Sequence, residues 1–476
     1  MRALQKTMRR WQLAAMRRLD ADALVAAGAR RTVRRFRSIA KKVPAYREIL
    51  RERGVQPARV QSPGDFVRLA PVLEKRDLFG RYPIEALCVD GRLGELASVL
   101  TSSGQGGQFA FGLSTASQAR QAVKAVDLAL EHAFRTDQRR TLLINALPMG
   151  VRFACSSATI AETSVREDMV VALVDQFARH YDQLILITDP LFCKRILDHA
   201  REVGFRWDGL RVHAVLGEET FGEAYRAYVA TRLGQDPERW DRGFVGSSMG
   251  VAELGLNLFF ETRETVRLRQ LADRHPELLQ PALGRWPGRT PPLLFVYDPL
   301  RLFVEIHEPD AEGFGALTLS TLEPSLVLPL LRYRTGDRAK VIDRTALVDA
   351  LQAAALGTHA LPPLPMIAVA GRTDDRLPDG RTLLDVKDAL YRDPELADQL
   401  SGAFRIEPGE AQAGCHIHVQ AAADWAGDEA ELRAQVGTHL PKSQSAQADV
   451  INVWRHATFP FARRLDYERK LDYLAR

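Results

Sequence analysis

Four cysteines in 476 residues, Cys88, Cys155, Cys193 and Cys415, stand without a paired spacing, which leaves neither a disulfide framework nor a cysteine-type zinc site. Long apolar runs are missing as well. No stretch approaches the roughly 20 residues of a membrane span, and Met1 to Asp20 has no apolar signal core. There is no internal repeat or low-complexity tract. No nucleic-acid-binding motif accompanies the net charge of +5. These absences point to a reducing, cytoplasmic setting, with no nucleic acid and no membrane span.

What is present is ordinary for a folded globular protein, with 46% hydrophobic and 26% charged residues. The chain is too long for one core of the usual size. A sequence pI near 9.0 owes much to the first fifty residues, where Arg9-Arg10, Arg17-Arg18 and Arg30-Arg31 fall. This arm reads as a solvated basic helix rather than a membrane or nucleic-acid contact.

The stretch Leu330-Leu331-Arg332-Tyr333-Arg334-Thr335-Gly336-Asp337 organises the rest. An apolar run ending this way is expected to put two guanidiniums and a carboxylate on the turn where a strand stops, which is how proteins present polar groups to ribose and phosphates. Upstream, Thr32 to Gly54 has helical spacing and reads as one helix. Ala97 to Leu100 reads as a strand entering Thr101-Ser102-Ser103-Gly104-Gln105-Gly106-Gly107, after which Ser117 is expected to cap a helix. A strand, a Ser/Gly loop and a helix can cradle a phosphate, because small residues let backbone N–H groups approach an anion. The alternative is a surface linker.

From Thr141 to Leu216, short apolar runs alternate with helical ones, the pattern of a parallel sheet covered on both faces, whose ligands bind beyond the carboxyl ends of the strands. At those ends stand Gly217-Glu218-Glu219 and the run from Gly246 to Glu253, and Glu253 is of a type that can hold magnesium. Short strands from Leu293 to Tyr333 read as a meander packed on that sheet. After Ile367-Ala368-Val369-Ala370, a small α+β domain of about 105 residues is expected. The expected division is 1–370 and 371–476. Cys415, His416 and His418 lack a second ligand pair, which disfavours a metal site there.

Taken in order, Thr101 to Gly107, the Gly217-Glu218-Glu219 turn, Gly250-Val251-Ala252-Glu253, Arg334-Thr335-Gly336-Asp337 and Gly371-Arg372-Thr373-Asp374-Asp375 resemble the acyl-adenylate-forming (ANL) superfamily. Val43-Pro44-Ala45-Tyr46 and the segment from Leu69 to Leu78 resemble its phenylacetate–CoA ligase-like branch. The resemblance implies an α/β fold with a large amino-terminal ATP- and acid-binding domain (parallel sheets with helices plus a β meander) and a small mobile carboxyl-terminal α+β domain. It makes Thr101, Ser102, Ser103, Gly104, Gly106 and Gly107 the loop over the β- and γ-phosphates. Glu219 falls on the adenine-side turn, Gly250 beside the nucleotide and Glu253 at magnesium. Asp337 falls at the ribose hydroxyls, Arg372 near the adenylate, and Asp374 or Asp375 at the hinge. Lys470 is the lysine expected to reach the acyl–AMP linkage, with Lys442 second. Met149, Phe153, Phe244, Gly246 and Ser248 are pocket positions by order along the chain, suited to an aryl or medium acyl group.

The departures are specific. Gln105 and Gly106 stand where the superfamily loop usually has two threonines, and Gln108 where it has lysine; Met249 and Ala252 replace an aromatic and a Ser/Thr. Gly380 to Asp385 departs from the Asn-x-Phe-Pro-like segment that borders the CoA tunnel. The activity implied is an ATP- and Mg2+-dependent ligase that forms acyl-AMP, releases pyrophosphate and passes the acyl group to a thiol such as CoA. Transfer to an amine or carrier protein, and a non-catalytic nucleotide-binding relative, are the alternatives. A homodimer is compatible with all of these.

Overall fold

The computed structural model describes residues 2–475 apart from 17, 19, 103, 105–106, 149, 153, 358–360, 410–413, 443–447 and 462–466. Its strands are β1 (Ser98–Thr101), β2 (Phe111–Ser114), β3 (Thr141–Asn145), β4 (Thr159–Glu162), β5 (Gln183–Thr188), β6 (Val212–Leu216), β7 (Phe244–Val251) and β8 (Gly255–Phe260). They continue as β9 (Leu293–Tyr297), β10 (Leu302–His307), β11 (Gly315–Thr321), β12 (Tyr333–Val341), β13 (Met366–Arg372), β14 (Leu400–Glu407), β15 (His416–Ala421) and β16 (Val450–Trp454). Strands β3 to β13 form one eleven-stranded sheet in the order β10-β11-β12-β13-β9-β8-β7-β6-β5-β3-β4. The half from β4 to β7 is parallel and the half from β7 to β10 antiparallel.

The two halves differ in sequence for a physical reason. β3 is buried at every position and β5 nearly so, because crossover helices such as Pro190–Glu202 and Glu223–Arg232 cover the parallel strands and leave no wet face to alternate with. In β10 buried and half-buried positions are mixed. The sheet is mixed α/β, as the residues predict. The strands expected as a separate meander instead continue the first sheet, joined through the β7–β8 turn.

Three local expectations are corrected. The single helix from Thr32 to Gly54 is two, Ala21–Lys42 and Pro44–Glu52, broken at Val43 (φ −101°, ψ 116°) because Pro44 disfavours helical backbone in the residue before it. The Ser/Gly loop does not lead into a helix. Its described residues lie between the paired strands β1 and β2, and the helix Ala116–Phe134 begins afterwards, capped by Thr115 rather than Ser117 in a reciprocal box with Gln118. The strand expected over Leu328–Tyr333 starts at Tyr333, so Arg334 to Asp337 lie inside β12 and not at a strand's end. Leu331 is instead buried, its N–H donating to Tyr46 Oη at 2.8 Å. All four cysteines are free thiols.

The tail wraps the helices Leu383–Ala389, Pro394–Gln399 and Glu429–His439 around a sheet of β14, β15 and β16. Its apolar side chains merge with the large sheet's core. Tyr391 stands edge-on to Tyr225 with ring centroids 4.7 Å apart. Asp388 Oδ1 accepts from the Ala224 N–H at 2.9 Å, Asp385 Oδ1 accepts from the N–H groups of Arg289 and Thr290 at 2.7 and 2.8 Å, and Tyr228 and Arg232 both bond Asp398. Beneath this seam the ammonium of Lys194 is buried between the two oxygens of Asp198, at 2.5 and 2.6 Å.

Candidate active site

A cavity of about 820 Å3 lies beyond the carboxyl ends of the parallel strands, and the tail forms one of its walls. It is lined by Thr101, Ser102, Glu219, Gly250, Glu253, Asp337, Arg372, Asp374, Asp375, Phe244, Gly246, Ser248 and Lys470. Thr101 and Lys470, 369 positions apart in sequence, therefore face one space. Gly104 and Gly107 do not line it. Ser103, Gly106, Met149 and Phe153 lie outside the described residues. Lys442 is exposed and does not line the cavity.

Asp337 on β12 and Arg372 at the end of β13 are cross-strand partners. Gly336 has φ 88°, and a Cβ there would stand 2.8 Å from an Arg372 guanidinium nitrogen, so glycine serves both the turned backbone and the arginine's path. The following segment folds back over β12. Thr373 donates from its N–H to the Gly336 carbonyl at 3.1 Å, and Asp375 Oδ2 accepts from the Arg372 N–H at 2.8 Å. Burial holds the Asp337 carboxyl above the ordinary range, against the pull of Arg372, Thr335 and Lys470.

The turn after β6 supplies carboxylates to two lysines of the tail. Lys470 Nζ lies 2.8 Å from Glu218 Oε2, and Lys387 Nζ 2.6 Å from Glu219 Oε2. Lys387 also sits 3.9 Å from the centre of the Tyr473 ring. Nearby, Asp189 caps the helix Pro190–Glu202, accepting from the Phe192 N–H at 2.9 Å. Burial, with Glu219 and Glu218 adding repulsion, pushes its carboxyl up to about 7.

On the hairpin side Glu253 is buried and accepts a hydrogen bond from the Tyr333 hydroxyl. β2 lies directly on this turn: a Cβ at Gly112 would fall 2.1 Å from the Ala252 carbonyl oxygen. Lys75, at the start of the short helix Lys75–Leu78, donates to Ser102 Oγ at 3.3 Å and lines the cavity. Gln108 also lines it, and a Cβ at Gly80 would fall 2.5 Å from its side-chain nitrogen, so this side chain lies against the turn that follows the Lys75 helix. A cation is thus present beside the hydroxyl loop, contributed by a segment 33 residues upstream of the glutamine. Among the described residues Glu253 offers the cavity a carboxylate with an oxygen beyond the one bonded to Tyr333, the donor type that magnesium takes alongside phosphate oxygens.

The other arm of the cavity is apolar. Val126, Ala129, Leu130, Ala133 and Phe134 of the helix Ala116–Phe134 face Leu147, Ile187, Val215 and Phe244, and the rings of Phe134 and Phe244 are 6.3 Å apart. Val126, Leu130 and Phe134 are spaced for one helix face, but that spacing does not tell a core from a cavity. Behind this arm Glu261 accepts from the Ser247 N–H at 2.8 Å and pairs with the buried guanidinium of Arg226, whose Nη2 lies 2.8 Å from Oε1, which fixes β7. Of the two expected guanidiniums, Arg332 is diverted and buried against Glu305, whereas Arg334 lines the cavity, paired with Glu74 at 3.0 Å.

Among the described residues His416 and His418 belong to no cluster of three potential metal ligands, and His418 Nδ1 accepts from the Trp454 indole at 3.1 Å. The acid and thiol groups that do converge, Asp379, Cys415 and Asp449, already have a cation: Arg381 bonds Asp449 at 2.6 and 2.8 Å and pairs with Asp379 at 2.5 Å.

No protein-family model matches the chain, and no curated protein matches it in sequence. Solved structures do resemble it. 2-Hydroxyisobutyryl-CoA ligase in the postadenylation state, in complex with R3-HIB-AMP, superimposes with a TM-score of 0.67 at 14% identity, over 96% of this chain and 90% of that one. The same ligase with 2-HIB-AMP and CoA in the thioesterification state gives 0.54 at 15% identity, over the same shares of the two chains. An open conformation of it also gives 0.54, over 96% and 92%. The chain therefore shares the fold of this CoA ligase, and its TM-score is higher against the postadenylation complex than against the open and thioesterification ones.

Proposed function

We propose that this protein is an adenylate-forming ligase of the phenylacetate–CoA ligase-like kind, acting on a carboxylic acid whose body is apolar. The supporting observation is that Asp337, Arg372, Lys470, Glu253 and Lys75 surround one cavity whose other arm is hydrocarbon and aromatic. A carboxylate resists nucleophiles because of its charge. Its oxygen attacks the α-phosphorus of ATP, the bond to the bridging oxygen breaks, and pyrophosphate leaves. The resulting acyl-AMP has a good leaving group. A thiol such as that of CoA then attacks the acyl carbon and AMP departs, so no enzyme nucleophile is required.

The chain's residues have distinct tasks in this reading. Asp337 accepts from the ribose hydroxyls, and Arg372 and Lys470 place positive charge where the α-phosphate oxygens gain negative charge. Thr101, Ser102 and Lys75 bind the β- and γ-phosphates. Glu253 would hold Mg2+, which when bound neutralises phosphate charge and orients the leaving group. The apolar arm between Phe134 and Phe244 excludes water and takes an aryl or medium acyl body. The unit 371–476 turns about Asp374 and Asp375 between the two half-reactions, carrying Lys470 away before transfer.

Exchange of labelled pyrophosphate into ATP, assayed over a panel of acids, tests the first half-reaction and identifies the acid together. Exchange with apolar acids and none with small polar ones is expected. Absence of exchange with every acid, in protein that binds ATP by calorimetry, would falsify the catalytic reading. Offering CoA, amines and carrier protein to the pre-formed acyl-AMP then decides the acceptor.

A further inference from the structure

The helix Arg2–Met16 meets the rest of the protein along one side. Arg9 is buried there, its guanidinium 2.8 and 2.5 Å from the two oxygens of Asp137, and Lys6 donates to the Asp137 carbonyl at 2.6 Å. Leu13 and Met16 are half-buried on the same side. Residues of an α-helix advance by about 100° each, which lines up Leu4, Met8, Trp11 and Ala15 on the opposite side. That line is open. Trp11 and Leu4, at 75% and 67% exposure, are the two most exposed large apolar side chains among the described residues, and Met8 between them is 55% exposed. The helix is thus not the evenly solvated basic element that its arginines suggest.

Charge decides what covers this line. Asp20 and Asp22 are the only acids before Glu48, against fourteen lysines and arginines. This arm is therefore far more positive than the whole chain at +5, and the remainder is net acidic. Positive charge extends to the loop that anchors the helix, where Arg135 is exposed. A second copy of this chain would set like charge on like charge. A stripe of three large side chains on a helix about 22 Å long also falls far short of the roughly 800 Å2 per partner that a stable protein interface buries. An anionic lipid surface meets neither obstacle: a short helix with tryptophan and leucine on one side and basic residues around it lies in the headgroup region. No helix among the described residues is long and apolar enough to cross a membrane, so the contact is peripheral.

We propose that the Leu4–Met8–Trp11 line of this helix, with the basic arm around it, docks the protein on an anionic bilayer surface. The test is co-sedimentation of the full chain with vesicles of phosphatidylcholine alone or mixed equally with phosphatidylglycerol. Binding is expected to the mixed vesicles only, and to weaken with added salt. A Met8→Glu/Trp11→Glu double variant should lower the bound fraction at least about tenfold with an unchanged melting temperature, since both side chains are exposed. Arg10→Glu/Arg18→Glu, which keeps the apolar line, should also weaken binding. Three results would overturn the proposal: the parent staying in the supernatant with mixed vesicles, the double variant binding as well as the parent, or light scattering of lipid-free protein revealing a dimer that Met8→Glu/Trp11→Glu dissociates, which would assign the line to a second copy.

Discussion

Lys470 Nζ donates to the Glu218 carbonyl oxygen at 3.0 Å and lies 2.8 Å from the Glu218 carboxylate, so the turn after β6 holds the tail's ammonium at the cavity wall. Glu218 itself has φ 69°, an unusual backbone for a non-glycine residue, which the surrounding turn keeps in place. If this ammonium stabilises the transition state of acyl-AMP formation, Lys470→Ala slows pyrophosphate exchange by roughly 100- to 1,000-fold. Transfer from synthetic acyl-AMP stays within a few-fold of the parent. Equal loss in both assays would instead indicate a misfolded tail.

Asp337 faces the cavity opposite Arg372 in the β12–β13 register. Two charge-assisted hydrogen bonds to a ribose diol are each worth roughly 1.5–3 kcal/mol, so Asp337→Ala should weaken nucleotide binding tens-fold or more. Calorimetry with ATP measures it, and an unchanged affinity removes Asp337 from the site.

Lys75 reaches Ser102 Oγ from outside the loop, while Gln108 stands where the superfamily pattern has lysine. Lys75→Ala is therefore expected to raise the apparent KM for ATP about tenfold or more, the scale of a hydrogen bond from a charged group. Adding Gln108→Lys to that variant should recover part of the loss, because both positions face the same space. A double variant no better than Lys75→Ala would mean that the loop site cannot present its ammonium to the phosphates.

The Asp189 carboxyl, pushed up to about 7 by burial and its acidic neighbours, gives a stability signature of definite sign. Between its ordinary value of 3.8 and about 7 the folded protein holds a proton that the unfolded chain has released. Its contribution therefore falls as pH rises through that window, by roughly 4 kcal/mol in all. Asp189→Asn keeps the helix cap and stays neutral. Urea unfolding at pH 5 and pH 8 should show the variant gaining on the parent at the higher pH; parallel shifts would contradict the raised value.

Much of the fold is legible because β3, β5 and β6 are continuous apolar runs, which only a doubly covered parallel strand requires. β4 and β8 escape the same reading. β4 is four residues long and partly exposed, and β8 starts on Gly255 and contains Asn257 at φ 55°. Site residues borne on short polar motifs, such as Glu219 and Asp337, announce themselves by composition. Lys75, Lys387 and the apolar face from Val126 to Phe134 do not, since an amphipathic helix has the same spacing whether its inner face meets a core or a cavity. Arg332 shows the reverse error: its type suggests a ligand contact, and tertiary packing uses it to neutralise Glu305.

The seam in which Tyr391 stands edge-on to Tyr225 bears on turnover. Swinging the tail away would wet those rings and strand the bonds to Asp388 and Asp398. If the proposed cycle holds, the protein would rest in the acid-activating posture, and departure from it would have to be driven by whatever binds the other posture better; reversing a 1:99 balance takes about 5.5 kcal/mol. On that reading an acceptor would act as a wedge as well as a reactant, and its half-saturation concentration would read the stiffness of the joint together with its own contacts. Tyr391→Ala, by loosening the joint, should lower that concentration while leaving pyrophosphate exchange no faster; an unchanged value would mean that the joint yields elsewhere.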